Sequence, residues 1–184
     1  MLKSKHLIGL EHFPVSDLNK IIDTSFKFKD ILQTESRKAI LLKGKTIVNM
    51  FFENSTRTKI SFSLAEKRLG ADSINFSAST SSVKKGETLK DTVQNIESMK
   101  IDGAVIRHGH PGSALKLTEY IDGAVINAGD GSHEHPTQAI LDMVTLKEKF
   151  GKIKGLKVGI IGDILNSRVA VSYTHLTLPT ILPV

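Results

Sequence analysis

Residues 46–59 constrain the fold more than any other stretch of this chain. Ile47, Val48, Met50, Phe51 and Phe52 form a nearly continuous apolar run, as expected of a parallel strand covered on both faces. The run leads directly into Ser55, Thr56, Arg57, Thr58 and Lys59, a helix start that carries hydroxyls and cations and no carboxylate. A helix N-terminus presents unpaired N–H groups and about half a positive charge, so first turns usually hold Asp or Glu. Here the first acid inside the helix is Glu66. Each cation in the first turn costs about 0.3–1 kcal/mol unless something negative sits on the helix end. A bound phosphate would remove that conflict and use the N–H groups, the hydroxyls and the Arg57 guanidinium together. Ser55 as an ordinary N-cap beside a solvated arginine accounts for the same residues.

The rest of the chain repeats the β-then-α pattern. Leu18, Ile21, Ile22 and Phe26, after Pro14, fit a first helix, followed by a charged stretch through Arg37 and Lys38. The helix after the first strand aligns Phe62, Ala65 and Leu69 and stops at Gly70; a short strand follows around residues 74–76. Beyond a loop at 77–86, Leu89, Val93 and Ile96 share one face of a helix. Ile-Asp-Gly-Ala-Val-Ile occurs at 101–106 and again at 121–126, read as two βα units entering one sheet with a helix near 112–120 between them. A helix over 136–150 and a strand over 157–161 complete the series. The predicted class is α/β, a parallel sheet with helices on both faces, and ligands of such sheets gather at the carboxyl ends of the strands.

A chain of 184 residues fits one full domain and the start of a second, and can bury about 70% of its unfolded surface. The 25 basic and 19 acidic residues leave +6, suited to an anionic ligand, but without a polybasic run or many aromatics nucleic acid is a poor fit. With no cysteine there are no disulfides, thiolate metal ligands or thiol nucleophile, and the N-terminal residues lack an apolar signal core, which points to the cytoplasm. No apolar run approaches the ~18 residues needed to span a bilayer.

Four clusters fall at strand ends or helix starts. The first is 55–58. The second is Arg107, which closes the strand of the first repeat and precedes His108, Gly109 and His110; a solvated strand-end charge is the plain alternative. The third is the loop Asn-Ala-Gly-Asp-Gly-Ser-His-Glu-His-Pro-Thr-Gln at 127–138, where Pro136 suits the first helical position, His135 the cap, and Gln138 the same side one turn on. That arrangement suits recognition of a carbonyl or amide, or a cap in which Gln138 bonds back to the chain. The i, i+2 spacing of His133 and His135, with no third ligand, argues against a metal. The fourth is the loop at 77–86, whose serines and threonine precede Lys84 and Lys85; it reads either as a lid over a bound anion or as a solvated linker. Gly44-Lys45-Thr46 fails as a P-loop because Ala39 stands at the first glycine position and a strand follows, and Gly159 with Gly162 does not make a dinucleotide fingerprint.

The last 14 residues, 171–184, contain no Asp, Glu, Lys or Arg, carry Pro179 and Pro183, and stand where a helix should follow Ser167 and Arg168. They resemble translated sequencing-adapter read-through at the end of a fragmentary gene, and the fold is therefore read without them.

Together the clusters resemble the aspartate/ornithine carbamoyltransferase family. The resemblance covers roughly residues 7–170 and rests on Phe-Glu-Asn-Ser-Thr-Arg-Thr at 52–58, Lys-Lys-Gly-Glu-Thr at 84–88, Arg107-His108, Asn-Ala-Gly-Asp-Gly at 127–131, His-Pro-Thr-Gln at 135–138, and Gly162-Asp163 with Ser167-Arg168. The paired lysines and the Asn-Ala-Gly-Asp-Gly stretch are similar to the catalytic chains of the aspartate branch. The resemblance implies transfer of a carbamoyl group from carbamoyl phosphate to the amine of L-aspartate, a step of de novo pyrimidine biosynthesis, with no metal or cofactor. It implies that Ser55, Thr56, Arg57 and Thr58 hold the phosphate, that Arg107 and His135 polarise the carbonyl oxygen, that Gln138 binds the amide, and that Arg168 contacts aspartate. Arg57, Thr58, Arg107 and His135 would then be the catalytic set. It further implies that Ser81 and Lys85 reach into a neighbouring subunit's site, with Lys85 also contacting aspartate, in a homotrimer of catalytic chains, with or without regulatory chains.

On that template residues 1–135 are the carbamoyl phosphate domain, 136–150 a connecting helix, and 151–170 the beginning of an aspartate-binding domain, most of which is missing after Ala170. A C-terminally truncated chain that binds carbamoyl phosphate without turnover is the corresponding expectation. An ornithine or related carbamoyltransferase, and a non-catalytic anion-binding module, remain as alternatives.

Overall fold

Parallel strands need crossover helices, and the chain supplies one after almost every strand. A computed structural model describes residues 2–77 and 88–176. After helix α1 (Val15–Leu32) come β1 (Thr46–Phe51), α2 (Thr56–Leu69), β2 (Asp72–Ser77), α3 (Leu89–Glu97), β3 (Gly103–His108), α4 (Ser113–Leu117), β4 (Ala124–Asp130), α5 (Pro136–Phe150) and α6 (Arg168–Leu176). The described strands form one parallel sheet in the order β2-β1-β3-β4.

That order determines where the helices lie. The chain leaves β1 in one direction to reach β2 and later leaves β3 in the other direction to reach β4, so right-handed crossovers put α2 and α4 on opposite faces. Val48, Met50, Ala104, Ile106 and Val125 accordingly pack with Val93 of α3 and Ala114 and Leu117 of α4. The alternate residues Phe51, Val105 and Ala128 face the other way, against Phe62 of α2. Each large side chain so buried contributes about 1.5–3 kcal/mol. Leu10, Ile22, Ala139, Ile140 and Met143 form a second cluster that joins α1 and α5. The direction reverses between β1 and β3, and in sheets of this kind ligands bind at such a reversal, outside the carboxyl ends of the strands.

The two copies of the repeat lie side by side, with Gly103 paired to Ala124. A Cβ on Gly123 would stand 2.4 Å from the Asp102 carbonyl oxygen, and one on Gly103 would stand 3.1 Å from the Ala124 carbonyl. Only hydrogen fits where the two strands enter the sheet. Gly123→Ala is expected to cost about 1–3 kcal/mol through backbone displacement, read as a lowered urea midpoint with an unchanged m-value; a midpoint equal to that of the unsubstituted chain would contradict the packing.

Two expectations need correction. Residues 157–161 enter no ladder: none of the described residues pairs with them, and Ile161 is fully exposed. Their apolar sequence suits a strand, but a strand exists only beside another edge. Conversely, a helix does follow Arg168. α6 extends through the first residues of the uncharged stretch at 171–184, and Ser172 is fully buried. A lack of charge does not bar a helix, and the first proline in this stretch comes only at position 179.

Candidate active site

The carboxyl ends of β1 and β3 bring together three of the four sequence clusters, because parallel register aligns the strand ends, while the fourth lies almost wholly outside the described residues. Phe51 pairs with Arg107, and the Phe52 N–H donates to the Arg107 carbonyl at 2.9 Å. The start of α2 therefore emerges beside the arginine that ends the β3 apolar run. Ser55 is the N-cap of α2, yet its hydroxyl makes no capping hydrogen bond, and the first turn contains no acid. The simple-cap reading of this helix start loses its main support, because the hydroxyl and the first N–H groups remain available. Among the described residues no carboxylate pairs with Arg57. Nor does any hydrogen bond or ion pair there join the side chains of 55–58 to Arg107 or His135 directly.

Arg107 is held from two sides. One of its terminal nitrogens donates to the Ala128 carbonyl at 3.0 Å, and its Nε lies 3.3 Å from Glu53 Oε2. Glu53 faces this Nε as an ion-pair partner without hydrogen-bond alignment, so the buried Nε–H lacks a well-directed hydrogen bond. A buried donor so imperfectly matched can take a better-directed acceptor. Glu53 also pairs with Arg168 at 3.3 Å, which makes one carboxylate the bridge between two guanidinium groups. Burial, and then the charge of Arg168, pull the Arg107 pKa below its usual value while Glu53 opposes the shift. An arginine stays protonated through such a change. Gly129, at φ +114°, lies directly beneath both arginines: a Cβ there would meet Arg168 at 2.8 Å and Arg107 at 3.1 Å.

His135 is the N-cap of α5 with Pro136 behind it, as the sequence indicated. Burial first, and then the positive field of Arg107 and Arg168, lower its pKa to about 4. It is therefore a neutral imidazole at neutral pH. The Thr137 hydroxyl lies 3.3 Å from Nδ1; when it donates there, Nε2 carries the proton. Gln138 does not bond back to the cap; its amide nitrogen donates to Asp142 at 2.9 Å. The capping-box alternative for Gln138 is absent from the structure. His133 sits 3.2 Å from Asp130.

The sign of the His135 shift gives a testable pH dependence. An unfolded imidazole titrates near pH 6.5 and the folded one near 4, so between these values the unfolded chain binds the extra proton. Stability attributable to His135 should therefore fall as the pH drops through this window, by up to about 1.4 kcal/mol per unit, and level off below it. Denaturant melts at several pH values should show a steeper slope in the unsubstituted chain than in His135→Gln, which keeps the like-signed contributions of His6 and His108; equal slopes would contradict the assignment.

Sequence reasoning gave no role to Glu53 or to the buried pair Asn127 and Asp130. Glu53 could have been found as the one acid between a strand exit and a cationic helix start. Ser81 and Lys85 lie outside the described residues.

A family model described as aspartate/ornithine carbamoyltransferase, carbamoyl-P binding domain, matches residues 5–148. Curated relatives named aspartate carbamoyltransferase catalytic subunit include proteins of Christiangramia forsetii and Flavobacterium johnsoniae, each 54% identical over 171 residues; the matches cover 93% of this chain and 55% and 56% of those proteins. This chain thus spans about half the length of the curated relatives it matches. Aspartate transcarbamoylase from Trypanosoma cruzi, solved in complex with carbamoyl phosphate and aspartate, superposes with a TM-score of 0.88 at 34% identity, over 95% of this chain and 54% of that one. The same enzyme solved with phosphate gives 0.84 at 32% identity.

Proposed function

The chain belongs to the aspartate/ornithine carbamoyltransferase family, and from that membership we propose that it supplies the carbamoyl phosphate half of an aspartate carbamoyltransferase active site. The observation that carries the proposal is the helix start at 55–58, with a hydroxyl that caps nothing and no first-turn acid, beside a half-buried arginine whose Nε–H lacks a well-directed hydrogen bond. In this reading the α2 N–H groups, the hydroxyls of Ser55, Thr56 and Thr58, and the Arg57 guanidinium hold the phosphate. Arg107 and neutral His135 donate to the carbonyl oxygen, and Gln138 turns from Asp142 to the carbamoyl amide.

The amine of aspartate, its carboxylate drawn by Arg168 and Lys85, attacks the carbonyl carbon. The new C–N bond forms, oxyanion charge develops against Arg107 and His135, and the C–O bond to phosphate breaks with its electron pair leaving on phosphate, whose oxygen takes up the proton released by the nitrogen. Positioning and fixed donors aimed at developing charge supply the catalysis. The names of the relatives favour aspartate over ornithine as acceptor.

The domain division at 135 and 150, the cytoplasmic setting and the place in pyrimidine biosynthesis belong to the same proposal. So does a homotrimer in which the segment holding Ser81 and Lys85 serves a neighbour. Its support is exposed apolar surface: Ile40, Leu41, Ile60 and Leu64 are 65%, 69%, 58% and 44% exposed, and Leu64 helps line a depression of about 370 Å³ with Leu32, Ala39 and Leu69. Sedimentation equilibrium should give three times the chain mass; a monomer at every concentration would contradict the trimer.

The functional test is calorimetric titration with carbamoyl phosphate. Saturable binding that inorganic phosphate displaces is expected, and no binding of either anion would overturn the reading.

A further inference from the structure

We propose that the N-terminal segment, residues 6–10, is a positioning strap for the anion site, acting through Asn127 and Glu134. The inference rests on the functional reading above for its ligand, but its geometry stands independently. Leu7 joins the free edge of β4 as a parallel bridge to Ile126, with its N–H donating to the Val125 carbonyl at 2.9 Å and its carbonyl accepting from Asn127 at 2.8 Å. The segment is anchored upstream, where the fully buried Asp17 accepts from the N–H groups of Lys3 and Ser4 at 2.7 and 2.8 Å.

Two side chains carry the strap's position to the anion site. Asn127, fully buried, donates from one amide nitrogen to the Ile8 carbonyl and to Asp130, each at 2.8 Å, while its oxygen accepts from the Gly129 N–H at 2.8 Å. It therefore ties the strap to the backbone step on which Arg107 and Arg168 rest, and next to the Ala128 carbonyl that holds Arg107. Glu134, 1% exposed, accepts from the Leu10 N–H at 3.1 Å and also contacts Ser172 and His175 of α6. It immediately precedes His135, so its side chain fixes where the α5 cap begins. Gly9 completes the clamp: a Cβ there would stand 2.9 Å from the Glu134 carboxylate. No strap atom is expected to touch the ligand; a shift of the strap would reach it through Arg107 and His135.

The test uses the full 184-residue chain with Gly9→Ala, Glu134→Ala and Glu134→Gln. Two readouts are taken: NMR titration of the His135 ring with the Arg107 Nε–H shift in the ligand-free protein, and calorimetric affinity for inorganic phosphate. Gly9→Ala and Glu134→Ala should raise the His135 pKa toward 6.5, move the Arg107 resonance and weaken phosphate binding by about tenfold, the scale of a small misplacement. Glu134→Gln, whose amide oxygen still accepts from Leu10, should stay within about twofold of the unsubstituted chain. Displaced Arg107 and His135 signals in a chain that binds no phosphate would uphold the strap and overturn the ligand reading. Unchanged signals and affinity in Glu134→Ala, with only a lower melting temperature, would overturn the strap.

Discussion

Arg57→Ala is expected to weaken carbamoyl phosphate binding by about 100-fold while leaving the melting temperature of the free chain unchanged or slightly raised. A charge-assisted, bidentate contact to a phosphate inside a crevice is worth about 2–3 kcal/mol, which corresponds to this factor. The free chain gains nothing from Arg57, because its side chain is exposed, unpaired with any described carboxylate and placed on the positive end of α2. Removing it relieves about 0.3–1 kcal/mol of repulsion with the helix dipole. Affinity and stability should thus respond differently, a pattern that a purely structural arginine would not produce. Calorimetry and thermal melts on the same samples read both; equal affinity in variant and parent would reduce the helix start to a solvated cation.

Asp130→Ala should destabilise the chain by about 3–5 kcal/mol and lower the melting temperature by about 10 °C. This carboxylate is 1% exposed and accepts from the Gly112 N–H at 2.8 Å, Asn127 at 2.8 Å and the Glu134 N–H at 3.1 Å, with His133 at 3.2 Å. Truncation strands buried donors from three segments at once: the start of α4, the end of β4 and the approach to α5. Asp130→Asn keeps one oxygen and should lose roughly half as much. Urea melts on both variants decide the matter, and a loss below about 1 kcal/mol for the alanine would show that water replaces the carboxylate without cost.

The elements with a clear period were legible from the residues. α5 was expected over 136–150 and is found there, since Pro136 and Gly151 punctuate both ends. The repeat at 101 and 121 announced two equivalent strands, and the glycine in each copy now has a steric reason. Residues 157–161 carried the same apolar signal as β3, but pairing is a non-local property that their own composition does not encode. The buried polar residues were hidden for a related reason. Asn49 interrupts the apolar run of β1, yet it is fully buried and donates at 2.8 Å to Glu66, whose pKa desolvation raises. Glu53, Asn127 and Asp130 likewise look like ordinary loop polar groups until the sheet brings their partners in. The site residues with a helix start or strand end beside them could be found from sequence because local backbone geometry marks such positions. The residues that hold those side chains in place could not, because their partners are up to 124 positions away, as Leu10 is from Glu134.

The most direct test of the anion site is a 1H–15N NMR titration of the 184-residue chain with carbamoyl phosphate. Saturable shifts concentrated on the backbone amides of 55–58, accompanied by the Arg107 Nε–H and the His135 ring, are the predicted result. Saturation centred elsewhere, or no saturable movement at 55–58, would contradict it.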